Sequence, residues 1–135
     1  MLGENIGNIK GRIVLRRVLP TEAGPGPKVE TTFEGQGSLY GIETKEVGTY
    51  HAHLRRDGQL YGEGQGMLTG KNGERATWKG SGLGKITKDG GMSFRGAVYY
   101  ESSDKNWQKL NEHAAVYEHD VDPQGNITSK VWDWR

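Results

Sequence analysis

The chain contains no cysteine, which excludes disulfide bridges, thiolate metal ligands and thiol nucleophiles. It has no surplus of charge either: 18 Lys and Arg stand against 17 Asp and Glu, a net of +1. Nucleic-acid binders usually concentrate a basic excess on one face. Here the basic doublets, Arg16-Arg17 and Arg55-Arg56, fall close to the ends of predicted strands, where solvated charge is common. No nucleic-acid partner is expected. No stretch approaches the ~20 consecutive apolar residues of a membrane span. The opening residues, Met1 to Lys10, carry neither the basic nor the apolar segment of a signal peptide. The expectation is a cytoplasmic protein without a membrane partner. Proline is scarce, with 4 residues, so the chain lacks the Pro/Gly composition of a disordered polymer.

What the chain has in excess is glycine, 22 of 135 residues, roughly twice the usual share of about 7%. Its placement is regular. Glu34-Gly-Gln-Gly-Ser-Leu-Tyr-Gly41 is echoed by Glu63-Gly-Gln-Gly-Met-Leu-Thr-Gly70, and more loosely by Lys79-Gly-Ser-Gly-Leu-Gly84. Glycine on every second residue of a strand leaves one face nearly bare, because alternate side chains point to opposite sides. Strand glycine marks tight bending or close approach by another group. The glycine face also carries Phe33, Leu39, Leu60, Leu68, Trp78 and Ile86, whereas the opposite face carries Glu34, Gln36, Glu63, Gln65 and Lys79. Glycine is therefore expected inside and charge outside.

Eight strands are predicted in one domain, residues 1–135. They run Ile6–Leu19, Lys28–Gly41, Thr44–Arg56, Gln59–Thr69, Arg75–Thr87, Met92–Ser102, His113–Val121 and Ile127–Arg135. A Pro/Gly-rich loop at Pro20–Pro27 and turns at Asp57-Gly58, Lys71-Asn72-Gly73, Asp89-Gly90-Gly91 and Asp122–Asn126 separate them. Ser103–Glu112 lacks alternation and reads as a helical or irregular insertion centred on residues 103–111. It would cover one mouth with Trp107 and Leu110, as a plug in preference to a lid. Even-spaced antiparallel strands of this kind predict an all-β, eight-stranded antiparallel barrel. Such a barrel has an interior just wide enough to be packed or to hold one small ligand.

Several stretches resemble a group of uncharacterised bacterial proteins: Glu63-Gly-Gln-Gly-Met-Leu-Thr69, Ala76-Thr-Trp-Lys-Gly-Ser-Gly-Leu-Gly84, Phe94-Arg-Gly-Ala-Val-Tyr-Tyr100, Ala114-Ala-Val-Tyr-Glu118 and Val131-Trp-Asp-Trp134. The glycine-rich pattern is also similar to the calycin-like barrels of the allene oxide cyclase and dirigent type. That resemblance implies a closed barrel, often oligomeric, sometimes with an apolar cavity. No stretch matches the catalytic motif of a plant allene oxide cyclase, so the resemblance assigns no catalytic residue.

The candidate ligand-lining residues are Phe33, Tyr50, Trp78, Phe94, Tyr100 and Glu118. The five rings either fill the space the glycines vacate or line a cavity for a small hydrophobic molecule. Glu118 either points inward, where burial would raise its pKa and suit it to proton transfer, or pairs with a cation on the outer wall. The pattern of residues 113–121 leaves its inner face open, with His113 and His119 on one side and Glu118 and Asp120 on the other. His51 and His53 share a strand face and would make half a metal site, but they alternate with Tyr50, Ala52 and Leu54 and so read as facing water. Trp132 and Trp134 share a face that is core or interface. No metal or cofactor is expected. Three functions stay open: a binding barrel for a small hydrophobic ligand, a cofactor-free isomerase or cyclase, and a solid scaffold that assembles into a homo-oligomer.

Overall fold

The computed structural model describes residues 1–21 and 26–135. Part of the loop expected at Pro20–Pro27, residues 22–25, lies outside the described residues. Eight strands follow in chain order: β1 (Leu2–Leu19), β2 (Lys28–Leu39), β3 (Ile42–Leu54), β4 (Leu60–Gly70), β5 (Arg75–Ile86), β6 (Met92–Glu101), β7 (Ala115–Val121) and β8 (Asn126–Trp134). Each pairs antiparallel with the next, and β8 pairs with β1 to close the barrel. Closure leaves the sheet without free edges along the paired length. The exception is the far end of β1. Its ladder with β8 stops at Arg12↔Asn126, while its ladder with β2 continues, past a bulge at Ile13/Leu15, to Leu19↔Lys28.

Alternation places the glycines on the inner wall, as expected. Their role is to admit rings from neighbouring strands. A Cβ on Gly48 would lie 2.7 Å from both the Phe33 and the Trp78 ring, and one on Gly84 would lie 2.6 Å from the Phe94 ring. Real carbon atoms do not approach so closely, so an alanine at either place would displace an aromatic residue. Without those side chains the strands can coil tightly around a ring-filled interior.

The turns are made by residues that tolerate the left-handed region. Gly58, Gly73, Gly90 and Gly125 all have φ between 85° and 93°, and all lie in the expected turns. The β2–β3 turn differs from expectation. It is a two-residue turn at Tyr40-Gly41, with φ of 49° and 75°, where the sequence reading runs β2 on to Gly41. Tyrosine rarely adopts this conformation. Its backbone N–H donates to the Ile6 carbonyl at 2.7 Å, and its hydroxyl donates to Asp133 Oδ2 at 3.4 Å. β1 also starts earlier than expected. The Met1 amino group donates to the Arg135 carbonyl at 2.6 Å, tying the two chain ends together.

One end of the barrel is closed by a 3₁₀ segment, Lys105–Asn111, inside the expected insertion. Trp107 and Leu110 are fully buried and join Ile6, Leu39, Leu68, Ala76, Val98, Ala115 and Val131 in one apolar cluster. The Trp107 indole N–H donates to the Leu39 carbonyl at 3.2 Å. Phe33, Val121 and Ile127 form a second cluster, with Trp78 and Tyr50 packed against it.

Candidate functional site

Between these two clusters the lumen is not completely filled. A cavity of about 80 Å³ remains. Phe33, Tyr50, Trp78, Phe94 and Tyr100 all line it, together with Tyr117, His119 and Glu46. Each arrives by strand alternation. Trp78 and Tyr100 are register partners on β5 and β6, and Phe94 and His119 are partners on β6 and β7. Rings from four strands meet at one side: Phe33–His119 centroids are 5.1 Å apart, Tyr50–His119 5.6 Å and Tyr50–Phe94 5.7 Å, all tilted or edge-on. Such geometry suits the ring quadrupoles.

Glu118 corrects the inward reading. Residues 115, 117, 119 and 121 face the lumen, so Glu118 faces out, opposite Lys130 and 3.7 Å from the Arg95 guanidinium. Asp120 shares that guanidinium at 2.9 Å. The physical reason is the cost of burying an unpaired charge when a partner stands on the outer wall. The lumen's carboxyl group is Glu46 instead. It follows from the alternation of β3, where Thr44, Glu46, Gly48 and Tyr50 occupy one face. The same alternation marks Tyr50 as inner, so the period of β3 implies the inner position of Glu46, against the general rule that charges face water.

Glu46 is 9% exposed. Its cross-strand partners are Gly35 and Leu68, neither of which can donate from a side chain. Burial raises its pKa to about 7, and the nearby Trp78 indole N–H opposes the rise. That N–H closes no hydrogen bond of full geometry. Burial and then the Glu46 charge raise the Tyr100 phenol well above its ordinary value.

At the other side, burial lowers His119 to about 4 against the opposing charge of Asp120. His119 is therefore neutral at physiological pH. Its Nδ1 and the Ser129 hydroxyl share a hydrogen bond of 2.6 Å, while Nε2 has no partner. Tyr50 Oη is also buried with no hydrogen bond of full geometry; burial raises its pKa, while the nearby Thr31 side chain and the Arg16 charge pull it down. Burial pushes Tyr117 up to about 12. The lumen therefore joins an apolar ring wall to a carboxyl group, an indole N–H, a phenol and a neutral imidazole. That set can hold a small molecule by both its polar and apolar parts, and Glu46 can hold or release a proton near neutral pH.

The other candidates lie outside the lumen. His51 and His53 stand on the outer wall of β3, His53 with its ring centroid 5.9 Å from that of Tyr61. Among the described residues no group of three potential ligands is placed to hold a metal ion. Trp132 and Trp134 are on the outer face of β8, Trp134 being exposed, while their neighbours Val131 and Asp133 point inward. No helix among the described residues is long and apolar enough to cross a membrane.

No family model matches the chain, and no curated protein matches it. Solved structures do. The chain is similar to a protein with unknown function from Clostridium acetobutylicum, with 14% identity, a TM-score of 0.83 and 96% of each chain covered. It is similar to a conserved protein of unknown function from Rhodopseudomonas palustris, with 15% identity, a TM-score of 0.80, and 98% of this chain and 97% of that one covered. A β-barrel-like protein from Acinetobacter baumannii matches at 12% identity and a TM-score of 0.82, over all of this chain and 96% of that one. These likenesses show the fold: a small β-barrel shared with uncharacterised proteins.

Proposed function

We propose that the barrel binds a small amphipathic molecule in its lumen. The observation that carries this reading is the set of buried polar atoms around one cavity that close no hydrogen bond of full geometry: Tyr50 Oη near Thr31, Trp78 Nε1 near Glu46, and His119 Nε2. An unpaired buried polar group costs ~1–3 kcal/mol, and native interiors keep few of them. A barrel needed only as a scaffold could place apolar side chains at these positions. The cavity of about 80 Å³ is well below the ~300 Å³ of a drug-sized site. The ligand is therefore a molecule of a few heavy atoms, and a long acyl chain does not fit.

Native mass spectrometry of protein purified from its own host tests the reading. A stoichiometric bound mass that is lost on denaturation is expected. Water alone would satisfy the same atoms, and a lumen that carries no bound mass and takes up no added small molecule would overturn the proposal. A second reading, a cofactor-free isomerase of the allene oxide cyclase type, is favoured by one feature: a carboxyl group with a pKa of about 7 is suited to move a proton along a confined substrate. In that case Glu46→Gln would abolish turnover and leave the bound mass in place.

A further inference from the structure

The charge inventory of the lumen narrows the ligand class. Glu46 is nine-tenths buried and lines the cavity. Among the described residues it has neither a salt bridge nor a hydrogen bond of full geometry. No Lys or Arg lines the cavity. Glu63 borders it between Gly62 and Gly64, but its carboxylate accepts a hydrogen bond from the Tyr61 hydroxyl at 2.9 Å, on the outer wall. The groups facing Glu46 are Gly35 from β2, Leu68 from β4, Trp78 from β5 and Tyr100 from β6, and none is a cation. A carboxyl group buried without a counter-charge is costly unless it is neutral or finds one.

The remaining wall is aromatic. Trp78 and Tyr100 are adjacent register partners beside Glu46, with Tyr50, Phe33 and Phe94 beyond. Ring faces carry negative potential and attract organic cations, Trp most strongly. With no Lys or Arg on the lining, the carboxylate and any ring face turned to the cavity act in the same direction on a bound charge, and the Trp78 indole N–H is the donor beside the carboxyl group. An anion would meet Glu46 in repulsion, and a purely apolar molecule would leave it uncompensated.

We propose that the lumen takes a small organic ammonium ion, with Glu46 as its counter-charge and the Trp78 and Tyr100 rings as its cage. This rests on the reading of the barrel as a small-molecule binder. The cavity size limits the candidates to compact amines of the methylammonium to trimethylammonium range.

The test uses the full chain at constant ionic strength, titrated by calorimetry and followed by the indole N–H signal of Trp78 in NMR. Trimethylammonium and methylammonium are compared with tert-butanol, a neutral molecule of similar shape, and with pivalate, its anionic counterpart. Saturable binding of the ammonium ions with a moved Trp78 signal is expected, weakened at least about tenfold by Glu46→Gln and unchanged by Glu118→Gln on the outer wall. A thermal melt of Glu46→Gln confirms that the variant is folded. If tert-butanol or pivalate binds as well as the ammonium ions, or if Glu46→Gln leaves their affinity unaltered, the cation assignment falls and the binding reading survives. If no probe saturates the protein and native protein carries no bound mass, both fall together.

Discussion

The capped end of this barrel and its middle each hold a tryptophan and buried carboxyl chemistry, partnered differently: Trp107, Asp133 and Glu74 at the cap, Trp78 and Glu46 in the lumen. At the cap, Trp107 donates its indole N–H to the Leu39 carbonyl. Asp133, 2% exposed, accepts from the Glu4 backbone N–H at 2.9 Å, from Tyr40 at 3.4 Å and from Arg135 at 3.1 Å. Glu74 accepts from Asn106 and from the Asn72 backbone N–H, each at 3.0 Å. In the lumen, Trp78 is partly buried and Glu46 is 9% exposed; the Trp78 indole N–H lies near Glu46 but closes no hydrogen bond of full geometry, and no cation lines the cavity. At the cap, Trp107, Asp133 and Glu74 each have hydrogen-bond partners within the fold. The lumen holds the same chemistry in reserve. Unpaired buried groups are disfavoured in stable proteins, so the two regions differ in how much hydrogen-bonding capacity the fold leaves unused.

The largest expected effect is at the cap. Trp107→Ala should lose ~3–5 kcal/mol, since it empties a completely buried site and leaves the Leu39 carbonyl unpaired; urea unfolding followed by circular dichroism checks it. Next comes a pH-dependent effect in the lumen. Glu46 is raised from 4.5 to about 7 in the folded chain. The folded state therefore holds the proton more tightly than the unfolded state does. This contribution is fully present below pH 4.5 and is lost as pH rises through about 7. Relative to wild type, Glu46→Gln should gain up to about 3 kcal/mol between those limits. Taking the difference between the two proteins removes the opposite slope from His119, which is lowered to about 4 and loses its contribution as the solution is acidified through that value. A stability difference independent of pH would place Glu46 in water.

Two glycines of β4 differ in the space around them. A Cβ at Gly66 would lie 2.7 Å from Cζ2 of Trp78 and press on its indole nitrogen, so Gly66→Ala should cost ~1–3 kcal/mol by overpacking. A Cβ at Gly62 would find its nearest neighbours at 3.5 Å, including Phe94. Gly62→Ala should be neutral or stabilise by up to ~1 kcal/mol through the unfolded chain, while reducing the cavity and weakening any ligand. Equal melting temperatures for the two variants would mean that Trp78 does not occupy the glycine channel. The smallest effect belongs to the outer wall. Glu118→Gln should change stability by less than ~0.5 kcal/mol, since its pair with Arg95 is half exposed.

The barrel was legible in the sequence because glycine, ring and polar residue each repeat with the period of a strand. The five rings of the lumen were found by the same period. Glu46 occupies that period too, two positions after Thr44 and two before Gly48, but its charge argues for the outer face and only its cross-strand surroundings override that. For His119 and Glu118 the two faces of β7 are similarly mixed, and inner and outer separate only once Arg95 and Lys130 are placed across from Glu118. The turn at Tyr40-Gly41 has no local signature at Tyr40, because contacts with Ile6 and Asp133, distant in sequence, hold it. The cavity itself depends on how seven rings share a lumen, which is a matter of packing and not of pattern.

The most direct measurement is an NMR titration of the Glu46 side-chain carboxyl in the full chain, free and saturated with trimethylammonium. A midpoint near 7 is expected in the free protein, with a fall toward the ordinary carboxylate range once the cation is bound. A free Glu46 that already titrates as an exposed carboxylate, or one whose midpoint the cation leaves in place, would contradict this expectation.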